Sequence, residues 1–240
     1  MKESRIDISA DFSFSYGKNL LFKIREGQNN IVLNCGRIYG IYGGNGCGKT
    51  TFLNILNTFL KPTTGKVTFT FPTYNYVHEN DTITASELIG NNIRRCFQTP
   101  LLVDELNIYD NISIVKRLLK NENFLNTFAL GMNEKKDSEI LRLLDLAHFT
   151  GNEDTATLSY GQRRIIANLQ VLYSDAQLMI LDEPFANIHH DMIGVLKQEY
   201  RKKVIQNNSI IVIVEHNKTN LHDFADEIIT IDNKQLSLRD

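Results

Sequence analysis

The sequence predicts an α/β fold with a phosphate-binding turn, an antiparallel β portion and a helical insert. Three observations predict it. Gly43-Gly44-Asn45-Gly46-Cys47-Gly48-Lys49-Thr50 fits the pattern G-x-x-x-x-G-K-[ST] between an apolar run and a helical periodicity. Two later apolar runs, 178–181 and 210–214, read as core strands, the first a buried parallel strand that ends in two acids. Between these strand signals, residues 101–157 change character towards Leu, Ile, Asn, Asp and Lys, with a strong amphipathic helix over 138–147.

Taken in order, residues 5–16 alternate, with Ile6, Ile8, Ala10, Phe12, Phe14 and Tyr16 set against polar neighbours. That period of two predicts one half-buried antiparallel strand. Ile31–Leu33 reads as another strand, and Ile38–Tyr42 as the buried strand leading into the glycine turn. In Thr51–Leu60, residues Phe52, Ile55, Leu56, Phe59 and Leu60 fall on one helical face. A turn at Pro62–Gly65 enters a strand at Lys66–Phe71. Asp191–Ile205 reads as a helix with Asp191 near its N-cap, and Glu227–Asp232 as a last strand. No repeat or low-complexity segment interrupts this order.

The glycine turn has a physical rationale. Glycines let the backbone curl so that several N–H groups converge on phosphate oxygens, and the following helix adds its positive end. Gly43, Asn45, Gly46, Cys47, Gly48 and Thr51 belong to this cradle; Lys49 would reach the β- and γ-phosphates, and the Thr50 hydroxyl would meet Mg²⁺. At average residue frequencies the pattern arises by chance in roughly one in a hundred chains of this length. Cys47 reads either as a reactive thiol or as a small residue where a small one fits. Further on, Leu178–Leu181 delivers Asp182 and Glu183 at a strand's carboxyl end, where sites of open α/β sheets lie. Asp182 would hold the Mg²⁺ shell, and Glu183 would polarise an attacking water.

Composition sets limits. The net charge of −2 offers no basic field for DNA or RNA, so no nucleic-acid partner is expected. No apolar run approaches the roughly 20 residues that span a bilayer, and no leader peptide is expected. Cys35, Cys47 and Cys96 are odd in number and lack metal-ligand spacing, which favours a reducing, cytosolic setting without structural disulfides or zinc.

Leu158-Ser159-Tyr160-Gly161-Gln162-Arg163-Arg164 carries the chain into a recognisable family. It resembles the LSGGQ signature of the ABC ATPases, with Tyr160 in place of the first glycine. Other motifs match in order. Phe97-Gln98 looks like the Q-loop and Asp182-Glu183-Pro184 like the extended Walker B. Glu215-His216-Asn217 resembles the switch-histidine segment, and Tyr16 the adenine-stacking aromatic. Alone, His216 reads as a strand-end cap, Gln98 as loop, and Tyr16 as strand surface, with Phe14 or Phe22 as alternatives for stacking. Two departures stand out. Gly44 replaces a common proline, and Phe185-Ala186-Asn187-Ile188-His189 puts His189 where the family's D-loop carries Asp. Short variants around Arg94–Gln98, Tyr160–Arg164 and Pro184–Ala186 look most like the ATPases of branched-chain amino-acid importers and lipopolysaccharide export.

The resemblance implies a RecA-like P-loop NTPase core with an antiparallel β subdomain. The core would comprise 1–98 and 166–240, and the helical subdomain 99–165. It implies ATP and Mg²⁺ as cofactors, with Thr50, Gln98 and Asp182 around the metal. Glu183, His216 and Gln98 would serve catalysis, and Tyr16 the base. Ser159, Gly161 and Gln162 would face the nucleotide of a second ATPase subunit, so that two chains sandwich ATP head to tail. The expected role is to power a membrane permease from the inner face of the cell membrane, as a peripheral cytoplasmic subunit. No C-terminal regulatory domain is expected after 232. The alternative is a soluble ABC ATPase of a nucleic-acid, ribosome, iron–sulfur or defence complex. A catalytically idle member is disfavoured by Glu183 and His216.

Overall fold

The alternating run at 5–16 folds as two strands where its pattern predicts one. In the computed structural model, which describes residues 3–72, 74–79, 92–117, 136–215 and 218–239, β1 (Arg5–Ile8) joins a four-stranded sheet and β2 (Ser13–Tyr16) an eight-stranded one. The alternation survives the break because Ile6, Ile8, Phe12 and Phe14 are all buried. A turn closed by the Phe12 N–H to the Ser9 carbonyl, 2.9 Å, carries the chain across. Gly65 permits this crossing: its φ is +70°, and a Cβ there would lie 2.7 Å from the Phe12 backbone nitrogen.

The elements that follow are β3 (Asn19–Ile24), β4 (Ile31–Asn34), β5 (Arg37–Gly43), α1 (Lys49–Leu56), β6 (Val67–Phe71), β7 (Tyr74–His78) and β8 (Ile93–Cys96). Then come α2 (Ile108–Arg117), α3 (Ser138–Leu146), α4 (Tyr160–Tyr173), β9 (Leu178–Asp182), α5 (His190–Asn207), β10 (Ile210–Val214), α6 (Lys218–His222), β11 (Glu227–Asp232) and β12 (Gln235–Arg239). The chain divides into two compact units, one of residues 1–95, 176–183 and 202–240, the other of 96–175 and 184–201. The predicted helical subdomain, 99–165, falls in the second unit; its residues 118–135 lie outside the described ones.

The first unit holds both sheets. The smaller runs β4-β1-β6-β7, with Ile6 opposite both Leu33 and Phe69 in antiparallel register. The larger runs β2-β3-β12-β11-β5-β10-β9-β8. At its centre β11, β5, β10 and β9 are parallel. Every residue of β9 and β10 is buried, which is why both read as unbroken apolar runs. Phe52, Ile55 and Leu56 of α1 join Ile41, Ile180, Val212 and Val214 in one core with Ile8, Leu33 and Phe69 of the smaller sheet. The helix is shorter than its periodicity predicts. It ends at Leu56, Thr58 turns to φ 59°, and the Phe59 and Leu60 N–H groups both fold back onto the Asn54 carbonyl. Phe59 is therefore left exposed rather than on the buried face.

In the second unit α2 and α3 pack against α4. The buried Asn111 amide donates to the Val103, Leu106 and Asn107 carbonyls and to the Thr155 hydroxyl, which satisfies a loop with no regular structure of its own. Buried Tyr200 donates to the Asn168 side-chain oxygen at 2.8 Å. Asn168 in turn donates to the Arg164 and Pro184 carbonyls, fixing the segment after Pro184 against α4.

Candidate nucleotide-binding site

The sheet register brings three carboxyl ends to one level. Val214 of β10 pairs with Ile41 of β5 on one side and Asp182 of β9 on the other. The glycine turn, Glu215 and the Asp182-Glu183 pair therefore leave the same edge of the first unit. Gly46 and Gly48 take φ of 73° and 104°, and Gly48 caps α1 in the left-handed region. A Cβ at Gly48 would lie 2.8 Å from the Leu21 and Phe22 side chains, so the tight packing of turn on β3 also demands glycine. The Lys49 ammonium folds back along the turn, donating to the Gly43 and Gly44 carbonyls at 2.9 and 3.0 Å. Gly44, Asn45, Gly46 and Thr50 are exposed, while Gly43, Cys47, Gly48, Lys49 and Thr51 are half-buried.

Asp182 is buried and paired. Arg95 of β8 donates to its Oδ2 at 2.7 Å and also to the side-chain oxygen of Asn54 on α1; both side chains of the ion pair are only 4% exposed. Arg95 thereby ties β9, β8 and the helix after the glycine turn. Breaking such a pair from one side leaves an uncompensated buried charge, worth about 3–5 kcal/mol. Glu183 follows at φ 51°, a strained backbone for a residue with a Cβ, held by its N–H to the Val214 carbonyl at 2.9 Å. Glu215 is buried; His216 and Asn217 lie outside the described residues.

Of the three aromatic candidates, Phe14 and Phe22 are core residues, and Tyr16 alone is exposed, at 56%. Its ring stands edge-on to Phe14 with centroids 4.9 Å apart, and its hydroxyl lies 3.4 Å from that of Thr51.

The signature residues sit in the second unit at the start of α4. Ser159 is the N-cap, its hydroxyl accepting the Gln162 N–H while the Gln162 side chain accepts the Ser159 N–H at 2.9 Å. This reciprocal capping box satisfies two orphan donors of the helix end. Gly161 is pressed against the D-loop segment: a Cβ there would lie 2.5 Å from the Asn187 carbonyl oxygen. Gln98 is exposed, and its carbonyl accepts a bond from the Tyr160 hydroxyl at 2.9 Å.

Arg95, Asn54 and Arg164 are structural partners of the site that motif reading misses. The Arg94-Arg95 pair was visible as sequence, but nothing local reveals that Arg95 meets a carboxylate 87 residues away.

Strand order, glycine turn and strand-end acids define the class: a P-loop NTPase fold of α/β architecture. The ABC transporter family profile matches residues 27–186, and the chain belongs to that family. It is 27% identical over 209 residues to the glycine betaine/carnitine/choline transport ATP-binding protein OpuCA of Bacillus subtilis, a match covering 86% of this chain and 51% of that one. The chain thus spans about half the length of that relative. It is 28% identical over 229 residues to the energy-coupling factor transporter ATP-binding protein EcfA2 of Staphylococcus epidermidis, covering 91% of this chain and 74% of that one. Among solved structures, the dimeric post-hydrolysis ATP-binding cassette MJ0796 bound to ADP and Pi matches with a TM-score of 0.73 at 20% identity, covering 98% and 97% of the two chains. CbiO1 of Clostridium perfringens, part of an ABC transporter complex, matches with a TM-score of 0.70 at 19% identity, covering 98% and 88%. The fold is that of an ABC ATPase domain.

Proposed function

We propose that this chain binds ATP with Mg²⁺ and hydrolyses it to power a membrane transporter, two ATPase domains closing head to tail around the nucleotide. The observation that carries the reading is the shared edge at which the glycine turn, Asp182-Glu183 and Glu215 leave adjacent parallel strands. The transport roles named for OpuCA and EcfA2 support its physiological half.

Each residue has a task in this reading. The turn's N–H groups and the Lys49 ammonium receive the phosphates, Lys49 exchanging its carbonyl partners Gly43 and Gly44 for phosphate oxygens. Tyr16 offers its exposed face to the base. Glu183 orients and polarises the attacking water, helped by Gln98 and His216. Ser159, Gly161 and Gln162 of one copy meet the γ-phosphate held by the other.

The donor set fits Mg²⁺. Thr50 and Asp182 would offer hard oxygen donors, Asp182 from a carboxylate that Arg95 already pairs through Oδ2. A cation held by few protein ligands, and otherwise by phosphates and water, is the ordinary condition of Mg²⁺. Thr50, Asp182 and Gln98 would hold it, and it would neutralise charge on the β- and γ-phosphates.

Among the described residues no helix is long and apolar enough to cross a membrane. The proposed partner is a membrane permease, met at the inner membrane face. The helical portion at 99–165 is the proposed receiver of that partner. The test is to capture the tagged chain from detergent-solubilised cell membranes and identify what comes with it. A polytopic membrane protein in stoichiometric amount is expected. A ribosomal, nucleic-acid or iron–sulfur assembly in its place would favour a soluble ABC ATPase.

A further inference from the structure

Tyr160 is the residue at which the signature departs from its family, and the structure gives it a definite employment. It opens α4, one helical turn before Arg164. The Arg164 guanidinium lies over the Tyr160 ring, 5.5 Å from its centroid, and donates to the Tyr160 hydroxyl at 3.2 Å. Through its other amino group it donates to the Phe97 carbonyl at 2.8 Å. The Tyr160 hydroxyl in turn donates to the next carbonyl, that of Gln98, at 2.9 Å. Two side chains from one turn of the signature helix thus grip two consecutive carbonyls of the Q-loop. Arg164 is 1% exposed, so its place is fixed by packing, and it fixes in turn the ring and hydroxyl of Tyr160, which is 44% exposed. A glycine at 160 offers no side chain to reach Gln98.

We infer that Tyr160 is a positioning residue that clamps the signature helix to the Q-loop, so that the placement of Gln98 depends on the signature motif of the same chain. The physical basis is the direction of the two bonds. With the Phe97 and Gln98 carbonyls both held, the peptide joining them has one orientation, and the Gln98 side chain leaves it along one path. Any displacement of the start of α4, such as a second copy docking on Ser159 and Gly161, is transmitted to Gln98 without an intervening flexible segment. The adjoining Arg163, which donates to Asp104 at 2.7 Å and to the Thr155 carbonyl at 3.0 Å, anchors the same turn from its other side.

The inference rests on Gln98 serving the reaction, as proposed above. Its test is a double-mutant cycle between Tyr160→Phe and Gln98→Ala, in the full chain with ATP. Phenylalanine keeps the ring over Arg164 and removes only the hydroxyl. Tyr160→Phe is expected to lower kcat about two- to tenfold, the scale of one hydrogen bond, with KM for ATP unchanged. In the Gln98→Ala background the same change is expected to have no further effect. Amide exchange at residues 98 and 99 should quicken in Tyr160→Phe while the rest of the second unit keeps its protection, a readout independent of turnover. Tyr160→Gly should lose at least as much kcat as Tyr160→Phe. An additive cycle, or wild-type turnover and exchange in Tyr160→Phe, overturns the clamp. A change confined to KM also overturns it, since that would make Tyr160 a nucleotide contact of the second copy. Wild-type turnover in Gln98→Ala alone overturns the role of Gln98 itself, which separates the failure of that reading from the failure of the clamp.

Discussion

Glu183 occupies a backbone conformation that most side chains avoid, at φ 51° directly after a fully buried strand. Left-handed backbone costs an ordinary residue about 1–2 kcal/mol, and such strain gathers where a side chain must be aimed. Glu183→Gln keeps the shape and removes the charge. It should retain ATP binding and lower turnover by at least ~10²-fold, the low end for a base or water-orienting group. With hydrolysis stopped, ATP should drive the variant into a dimer visible by gel filtration; turnover near wild type would remove Glu183 from the chemistry. Lys49 and Tyr16 separate phosphate from base. Lys49→Ala should lose nucleotide altogether, since the charge serves the phosphates of any nucleoside triphosphate. Tyr16→Ala should weaken ATP binding by about 1–3 kcal/mol, the worth of one stacked base, and still hydrolyse ATP at saturation. Phe14 and Phe22, the alternatives, are buried, so an unchanged affinity in a titration of Tyr16→Ala would leave the base without an aromatic partner among these three.

The elements most legible in the sequence were those whose environment is uniform along their length. β9 and β10 are buried at every position and read as apolar runs; α3 has one buried stripe of Ile140, Leu143 and Leu144 and reads as a helix. What stayed illegible depends on partners distant in sequence. β8 carries Arg94 and Arg95 and looks like surface, yet Arg95 is buried because Asp182 waits for it. α4 hides Arg164 and Asn168 on its buried side, each satisfied by carbonyls of other segments, so its apolar period is interrupted where it is best packed. Likewise the turn, Asp182, Glu183 and the signature are local strings, whereas the Arg95 and Tyr160 contacts join segments far apart in sequence. The edge strand β7 supplies a titration test of the same principle. His78 is 2% exposed, its Nε2 within 2.8 Å of the Leu60 carbonyl, and burial, aided by Lys61, holds its pKa below 6.5. The folded state therefore binds fewer protons here than the unfolded chain, and stability rises with pH across this group. The contribution is complete above the unfolded value of about 6.5 and is lost as pH falls through the lower folded value. Urea unfolding between about pH 7.5 and about pH 5 should show this acid loss, and His78→Phe should flatten it; an equally steep profile in the variant would assign the loss to other groups.

Under the proposed reading, ATP hydrolysis by this chain drives a membrane transporter. The second unit carries exposed apolar side chains outside its core, Leu101 at 65% and Val103 at 39%, with Leu102 and Leu106 half-buried beside them in sequence. They follow Gln98 directly along the chain, and Asn111 and Arg163 hold the same loop to α2 and α4 through Val103, Leu106 and Asp104. A permease segment bound on these residues would act on the loop that carries Gln98, and binding and hydrolysis would then be linked free energies, each shifting the other by the same amount. The purified chain should accordingly be a weak ATPase whose rate rises when its membrane partner is supplied. Changing Leu101, Leu102 and Leu106 to Glu should abolish that rise and leave basal ATP binding intact, because the proposed reading gives none of the three a contact with nucleotide. Parallel ATPase assays with membrane extract and with DNA or RNA decide the matter. A protein that neutralises phosphates releases counterions, so a nucleic-acid activator would act with a steep salt dependence; stimulation of that kind alone, with none from the membranes, would overturn the transporter reading.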